Sequence, residues 1–554
     1  ARGVPRALPW LLVAGVLAQA AVRLCLAWAR TAPAANPDET GYLVAARWLA
    51  GGPGGDLSGN TFYQGGYPIL LAPAYWLSHD PATVYTIVMA INALLGAALF
   101  PLGYAAAHRF GLGRRAALPL AFAAALLPAA TFFGAFALAD AVLPTLVLGW
   151  LLVLDRFIRN GRASDAALAS LIASYMATVH TRGTVLLAVH AAVLAVMALR
   201  GRFRAALAGG GVALAGYAAG AALNAAVRGE LYPGGTRNLT GILESRLTTA
   251  AGQEWALSGA AGQVWYLVVA TWGLAGAGLV VVSATVVRRR APVADRIMAG
   301  TLLAATCAIA YASSAALPDE HRVGNFAYGR YLACVALVYA LAGAAALVRA
   351  GLRTALRPAA ASVLLSAATG LWVTVYAGER LHTHKFIGFD FPEVMFLTDD
   401  RNSLQLQEAT LTACALLCGL LVLSRLGRTA VTAIALAGIN LAALTFAMAP
   451  TARRVHPGPP LPGPAAGEVV ADASLGWEVK TALMYPVWWT RIGSIDVRDG
   501  RAPAPGVCTV VVPLPDGTPP KASWPAHPAG WRPHAGRFWS TGWVSWHDPS
   551  CRAQ

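Results

Sequence analysis

Between residues 36 and 76 the chain reads Asn36-Pro37-Asp38-Glu39-Thr40-Gly41-Tyr42 and then, after a polar gap, Phe62-Tyr63-Gln64-Gly65-Gly66-Tyr67-Pro68-Ile69-Leu70-Leu71-Ala72-Pro73-Ala74-Tyr75-Trp76. The second stretch is apolar and aromatic. It is nevertheless too short, and too broken by proline, to cross a hydrocarbon core that takes about 20 helical residues. It reads as a helix lying in a membrane interface. The acidic pair Asp38-Glu39 follows Pro37 and opens an amphipathic stretch over residues 41–49. Carboxylates suit the positive end of a helix, so a plain helix cap explains the pair as well as chemistry does. A carboxylate between two interfacial helices is also placed to meet a substrate carried by lipid.

Apolar runs of spanning length surround this segment. They fall near residues 8–29, 81–107, 115–132, 138–154, 164–180, 184–199, 205–227, 262–287, 296–317, 330–348, 359–377, 409–424 and 429–449, thirteen in all. Of the 554 residues, 57% are hydrophobic and 12% charged, with a mean hydropathy of +0.55. A soluble domain carries roughly 25% charged residues. A cytoplasmic globular enzyme is therefore excluded, and so is a disordered chain. The first run lacks a cleavage site and leads directly into further spans, so it is expected to be a helix and not a signal peptide.

The net charge of +16 would suggest a nucleic-acid partner in a soluble protein. Placing the charges removes that reading. Alternate loops hold 20 arginines, among them Arg109, Arg156, Arg159, Arg288 and Arg425, against three aspartates. The opposite loops before the last run carry 11 basic and 16 acidic residues. By the positive-inside rule the first set is cytoplasmic, which puts the amino end inside and, with thirteen spans, the carboxyl end outside. No nucleic-acid partner is expected.

Residues 1–452 are expected to form the membrane domain, with the first external loop at 30–80. Residues 453–467, which include His456-Pro457-Gly458-Pro459-Pro460, read as a proline-glycine linker. Residues 468–554 read as a small extracytoplasmic α/β domain, with strands at 468–472 and 508–513 and a helix at 477–483. Cys508 and Cys551 share this domain and can pair as a disulfide. It also holds eight of the 17 tryptophans, Trp477, Trp488, Trp489, Trp524, Trp531, Trp539, Trp543 and Trp546. Aromatic faces suit sugar rings, while core filling or a membrane-interface belt accounts for tryptophan equally well.

Ionisable residues gather on the external side. Asp140 stands at the start of the fourth run, on the side of Asp38, and an acid at membrane depth is functional by default. A helix cap is its bland alternative. Arg182 lies in His180-Thr181-Arg182-Gly183; Arg322 and Arg330 lie in the stretch from Pro318 to Tyr331. Guanidinium forks suit phosphate oxygens, but each arginine can equally be an interfacial anchor or a partner of Asp319 or Glu320. A later loop carries Glu379, Arg380, His382, His384, Lys385, Asp390 and Glu393, where the His-x-His spacing is a weak metal signal and a solvated loop is the simpler reading.

Taken together, Asp38-Glu39, the Gly65–Trp76 segment, Asp140 and Tyr328-Gly329-Arg330-Tyr331 resemble the GT-C superfamily of membrane glycosyltransferases. The likeness is greatest to the group of protein O-mannosyltransferases, aminoarabinose transferases and mycobacterial arabinofuranosyltransferases. It implies a polytopic α-helical GT-C fold in the plasma (inner) membrane with about 13 spans and an external carboxy-terminal domain. It also implies transfer of a sugar from a polyprenyl-phosphate donor to an acceptor hydroxyl of a protein, glycan, lipid or exported peptide. Asp38 would be the base of an inverting displacement, with Glu39 orienting it or the acceptor. Asp140 would bind a sugar hydroxyl, the acceptor or a divalent metal shared with Asp38. Aminoarabinose transferases carry a lysine just before the proline of the first-loop turn, where this chain has Gly65, Gly66 and Tyr67. Phosphate binding therefore passes to the arginines, with Arg182 and Arg330 as the phosphate candidates, and His180, Arg322, Tyr328 and Tyr67 complete the expected donor-binding set.

The chemistry is consistent with one carboxylate. Phosphate leaves as a stable anion, so the minimum is a base for the acceptor proton and cations for the phosphate. A glycosidase needs two carboxylates flanking the scissile bond. The rival class is a transporter or flippase for lipid-linked sugars. Such folds show internal repeats and charges at the midplane, whereas these runs are nearly free of charge apart from Arg23. A non-catalytic scaffold presenting the tryptophan-rich domain is the third reading. No Walker A loop, His-Glu-x-x-His or Gly-x-Ser-x-Gly motif is present, and Gly273-Leu274-Ala275-Gly276-Ala277-Gly278 reads as helix packing.

Overall fold

The protein was described from a computed structural model. The described residues are 7–426, 429–449, 461, 467–485, 492–500, 502–538 and 541–551. Helices occupy the chain as far as Met448, and a five-stranded sheet follows. Among the described residues, eight segments are long and apolar enough to cross a bilayer. Two bent pairs bring the number to ten, Arg114–Ala124 with Pro128–Ala135 and Ala250–Val269 with Leu274–Val287, bent by 68° and 114°. The chain is an integral membrane protein.

Thirteen apolar runs become eight to ten segments for identifiable reasons. Thr181–Leu231 counts as one segment of 51 residues, about 77 Å at the helical rise and more than twice a hydrocarbon core. It turns at Arg200 and Gly201, where Gly201 takes a φ of +83°, and both limbs pack against Ala163–Val179. Ala163–Val179 itself has only 17 residues, and Leu143–Asn160 carries Asp155, Arg156 and Arg159 near its end.

After the first helix, α1 (Leu8–Ala27), come two helices of 12 residues each, α2 (Asp38–Leu49) and α3 (Gly66–Leu77). At about 18 Å neither can span. Helix α3 buries Tyr67, Leu71, Ala74 and Tyr75 and exposes Ile69, Trp76 and Leu77, the two faces of an amphipathic helix. Helix α2 departs from the amphipathic expectation, because residues 39–47 are all buried. Tyr42 meets Tyr63 and Tyr67 edge-on at 5.3 Å, and the Tyr75 hydroxyl donates to the Leu43 carbonyl at 2.7 Å.

Of the glycines at 273–278, Gly276 and Gly278 are packing residues, whereas Gly273 takes a φ of +79° at the bend between Ala250–Val269 and Leu274–Val287. A Cβ on Gly278 would lie 2.0 Å from the Tyr339 carbonyl, and one on Gly343 would lie 2.0 Å from the Leu274 carbonyl. The helices Leu274–Val287 and Ala333–Arg349 therefore approach backbone to backbone.

The carboxy-terminal strands are β1 (Glu468–Asp472), β2 (Ile492–Ile495), β3 (Val507–Leu514), β4 (Arg532–Phe538) and β5 (Thr541–His547), in the order β2-β1-β3-β5-β4. Strand β1 runs parallel to β2 and β3; β5 pairs antiparallel with β3 and β4. A helix at Trp477–Met484 follows β1, and a disulfide joins Cys508 to Cys551. Trp524, Trp543 and Trp546 are buried core, Trp477 is exposed, and Trp488, Trp489 and Trp539 lie outside the described residues, as does nearly all of the 453–467 linker.

The sheet unit docks on the first loop. Buried Arg47 of α2 donates from Nη1 to the Met484 carbonyl at 3.0 Å, and from Nε and Nη2 to the carbonyls of Pro53 and Gly54 at 2.8 and 2.9 Å. Tyr485 reaches the Pro81 carbonyl with its hydroxyl.

The two loop sets of the sequence segregate in space. Arg109 and Arg159 both pair with Asp155, Arg156 with Asp165, and Arg159 with Asp295. Asp38, Asp140, Arg182 and Arg330 associate with one another, as do Arg237, Glu320, Arg322 and Asp390. None of these pairs joins one loop set to the other.

Candidate active site

Four ionisable side chains, each beside a helix end, meet in one cluster. Asp38 is the first residue of α2, and Asp140 lies in the short turn Ala139–Ala141 before Leu143–Asn160. Arg182 is in the first turn of Thr181–Met197, and Arg330 sits in the turn Gly329–Leu332 before Ala333–Arg349. Helix ends supply this geometry because a side chain there can leave the helix packing and reach a neighbouring element.

Asp140 is the centre. Its Oδ1 accepts from Arg182 Nη2 at 2.7 Å, and its Oδ2 faces Arg330 Nε and Nη2, both at 2.8 Å. Arg330 continues through Nη1 to Asp38 Oδ2 at 3.0 Å and to the Tyr328 hydroxyl at 3.2 Å. Tyr63 donates to the other oxygen of Asp38 at 3.0 Å. Two carboxylates and two guanidiniums balance, so the cluster carries no net formal charge. Side-chain exposure is 4% for Asp140 and Arg182, 9% for Arg330 and 37% for Asp38. Asp38 is thus the member that a substrate can reach.

The remaining candidates divide by what they touch. His180 caps Thr181–Met197, and its Nδ1 accepts from the Arg182 backbone N–H at 3.1 Å. Arg182 also donates from Nη1 to the carbonyls of Arg330 and Tyr331 at 3.3 and 3.4 Å. Tyr67 is fully buried; its hydroxyl donates to Asn92 Oδ1 at 2.9 Å, and the Asn92 amide donates to the Phe136 carbonyl at 2.8 Å. It braces the segment leading to Asp140 and presents no free hydroxyl to a donor.

Glu39 requires a correction. It does not orient Asp38 and cannot reach an acceptor, because it is fully buried and saturated. Oε1 accepts from the backbone N–H groups of Ala34 and Ala35 at 2.7 Å; Oε2 accepts from the Tyr85 hydroxyl at 2.6 Å and the Ala137 N–H at 2.8 Å. It staples the strand of chain before α2 to the loop before Asp140.

The expected metal pair of Asp38 and Asp140 also meets an obstacle. The Arg330 guanidinium stands between the two carboxylates and bonds both, occupying with a positive group the position that a bridging cation would take.

Arg322 differs from the other two arginines. It is 20% exposed, and its ion pairs are loose, 3.4 Å to Glu320 and 3.9 Å to Asp390. Its guanidinium lies 5.5 Å from the centre of the Tyr328 ring, which links it to Arg330. Asp390 is 4% exposed; burial pushes its carboxyl up to about 6, against the pull of Arg322 and Arg330.

Sequence reasoning passed over Tyr63, Tyr85 and Asn92. Asn92 had a signal, since a carboxamide inside an apolar run is costly unless bonded. Tyr63 and Tyr85 had none, because tyrosine at a membrane interface needs no further explanation.

Neither a protein-family model nor a curated protein matches the sequence. Solved structures do. ArnT from Cupriavidus metallidurans bound to undecaprenyl phosphate aligns with a TM-score of 0.55 at 16% identity, covering 98% of each chain. The same protein in the apo state aligns at 0.53 with the same identity and coverage. Arabinosyltransferase EmbB from Mycobacterium smegmatis aligns at 0.44 and 15% identity over 96% of this chain and 47% of its own. The chain has the GT-C fold of ArnT along nearly its whole length.

Proposed function

We propose that the protein is an inverting glycosyltransferase that moves a sugar from a polyprenyl-phosphate donor to an acceptor hydroxyl on the extracytoplasmic face of the plasma (inner) membrane. The observation that carries this reading is the placement of Asp38. It is a part-exposed carboxylate held from one side by Tyr63 and from the other by Arg330, at the meeting point of helix ends. The likeness to a fold crystallised with undecaprenyl phosphate supports the lipid-borne donor. The amino end is assigned to the cytoplasm by the arginine bias of the loops, and the sheet unit to the outside because Arg425, of the arginine-rich loop set, directly precedes the last apolar helix, Thr429–Met448.

In the proposed reaction the acceptor oxygen attacks the anomeric carbon as the bond from that carbon to the phosphate oxygen breaks. Asp38 takes the hydroxyl proton, and the polyprenyl phosphate leaves as an anion. Tyr63 and Arg330 hold the Asp38 carboxylate in position, which is where the gain from orientation arises. Arg182 and Arg330 are largely spent on Asp140, so Arg322 is assigned the donor phosphate.

The test uses the purified protein in lipid nanodiscs with defined polyprenyl-phosphate sugars and intact-mass analysis of candidate acceptors. Asp38→Asn should lose about 10²–10⁴-fold in transfer while keeping donor binding. Arg322→Ala should instead weaken the donor about 10–100-fold, the cost of losing a charged hydrogen bond. Unimpaired transfer by Asp38→Asn refutes the assignment of the base, and translocation of the lipid-linked sugar in sealed liposomes without transfer supports the transporter reading.

A further inference from the structure

Apart from the cluster around Asp140, three metal-ligating side chains converge on two neighbouring loops. Asp319 and His321 belong to the loop at 317–323, and His384 belongs to the loop at 378–387. Their ligand atoms all lie within 4.8 Å of one another. A tetrahedral zinc ion with bonds of about 2.0–2.1 Å sets its donor atoms about 3.3 Å apart, inside the 4.8 Å within which these three gather.

The backbone already brings the loops together. The Lys385 N–H donates to the His321 carbonyl at 2.9 Å, and the Val323 N–H donates to the Lys385 carbonyl at 3.0 Å. His321 takes a φ of +51°, a conformation uncommon outside glycine, asparagine, aspartate and histidine. Its ring stands 5.4 Å from that of His384, centre to centre, and His384 is backed by Phe326 at 5.6 Å. Asp319 Oδ1 is aimed by the His321 N–H at 3.0 Å and by Asn325 Nδ2 at 2.8 Å, which leaves Oδ2 for ligation. Glu320, the nearest other acid in sequence, is engaged by Arg237 and Arg322.

We propose that Asp319, His321 and His384 form a zinc site that clamps these two loops together, with water in the fourth position. Two imidazoles and one carboxylate suit zinc, whose open sites keep three protein ligands. The clamp holds both ends of a pair beside the active site. Arg322 directly follows His321, and Asp390, its 3.9 Å partner, lies six residues beyond His384. The ion has no part in the proposed transfer, so the site stands or falls apart from that reading.

The experiment is a titration of the chelator-stripped, full-length protein in detergent with Zn²⁺ alone, followed by calorimetry. Co²⁺ alone then serves as a spectroscopic probe of tetrahedral coordination. One equivalent is expected, with a rise in melting temperature on binding. His321→Asn keeps a side chain that tolerates the left-handed backbone, and His384→Phe keeps a ring against Phe326; the pair together should abolish that equivalent. Asp319→Asn should weaken it, and serves alone if the double variant does not fold. A wild-type protein that takes up no equivalent overturns the proposal. So does uptake by the double variant, or by Asp319→Asn, equal to that of the wild type.

Discussion

Replacing Asp140 with asparagine tests whether this residue frames the site or binds substrate. In the structure its two oxygens meet three nitrogens of Arg182 and Arg330 at 2.7–2.8 Å, with 4% of the side chain exposed. At about 4 Å between charge centres and an effective dielectric near 20, each pair is worth about 4 kcal/mol before desolvation. Desolvation of the ions takes back much of that sum, and removing one partner of a buried pair costs about 3–5 kcal/mol in practice. Asparagine preserves the shape but turns one oxygen into an amide NH2, which then points donor to donor at a guanidinium. Asp140→Asn is therefore expected to lose about 3–5 kcal/mol in unfolding titrations in detergent. Combining it with Arg182→Gln should cost less than the sum of the two single changes, because the second removes the charge that the first strands. An Asp140→Asn protein with a wild-type unfolding curve, losing only affinity for substrate, would refute the reasoning.

Three further outcomes follow from other contacts. Glu39→Gln leaves two of four buried donors without an acceptor, so unfolding stability should fall by about 2–6 kcal/mol, while substitution at half-exposed Asp38 leaves the melt nearly unchanged. Burial pushes Asp390 up to about 6, so between about pH 4 and pH 6 the folded chain holds a proton that the unfolded chain releases. Its contribution to stability accordingly falls as pH rises through that window, by about 3 kcal/mol. Melts of Asp390→Asn and wild type should therefore diverge with rising pH in favour of the variant, and a constant difference from pH 4 to pH 7 contradicts this. Reduction of Cys508–Cys551, which are 43 residues apart, should cost the sheet unit about 4 kcal/mol by loop-closure entropy, read as earlier unfolding of the tryptophan signal.

The site was legible in the sequence where charge met apolar context. Asp140, Arg182 and Arg330 each stand out because an ionisable group beside a spanning run must be bonded or functional. Their partners were not legible. Arg330 lies 292 residues from Asp38 and 190 from Asp140, and nearby Asp319 and Glu320 were equally reasonable partners. Asp38 and Glu39 look like a unit when read along the chain. On a helix, however, successive side chains project about 100° apart, which leaves Asp38 part-exposed beside Arg330 and sends Glu39 into the core. Membrane runs were legible as thirteen, but apolarity alone cannot distinguish a bent pair from a straight span, or see the turn at Gly201 that folds one long helix back.

The charge balance of the cluster bears on how the proposed reaction runs. Asp38, Asp140, Arg182 and Arg330 sum to zero, so before reaction they offer a departing phosphate no net attraction. Once Asp38 has taken the acceptor proton, the same four groups carry one positive charge. Proton transfer and phosphate departure are thereby coupled through the field of the site, each favouring the other. The resting donor must then be held by a cation outside the balanced set, and Arg322 meets that requirement. Its two acidic partners stand at 3.4 and 3.9 Å, too far for full hydrogen bonds, and burial drives one of them, Asp390, toward its neutral form.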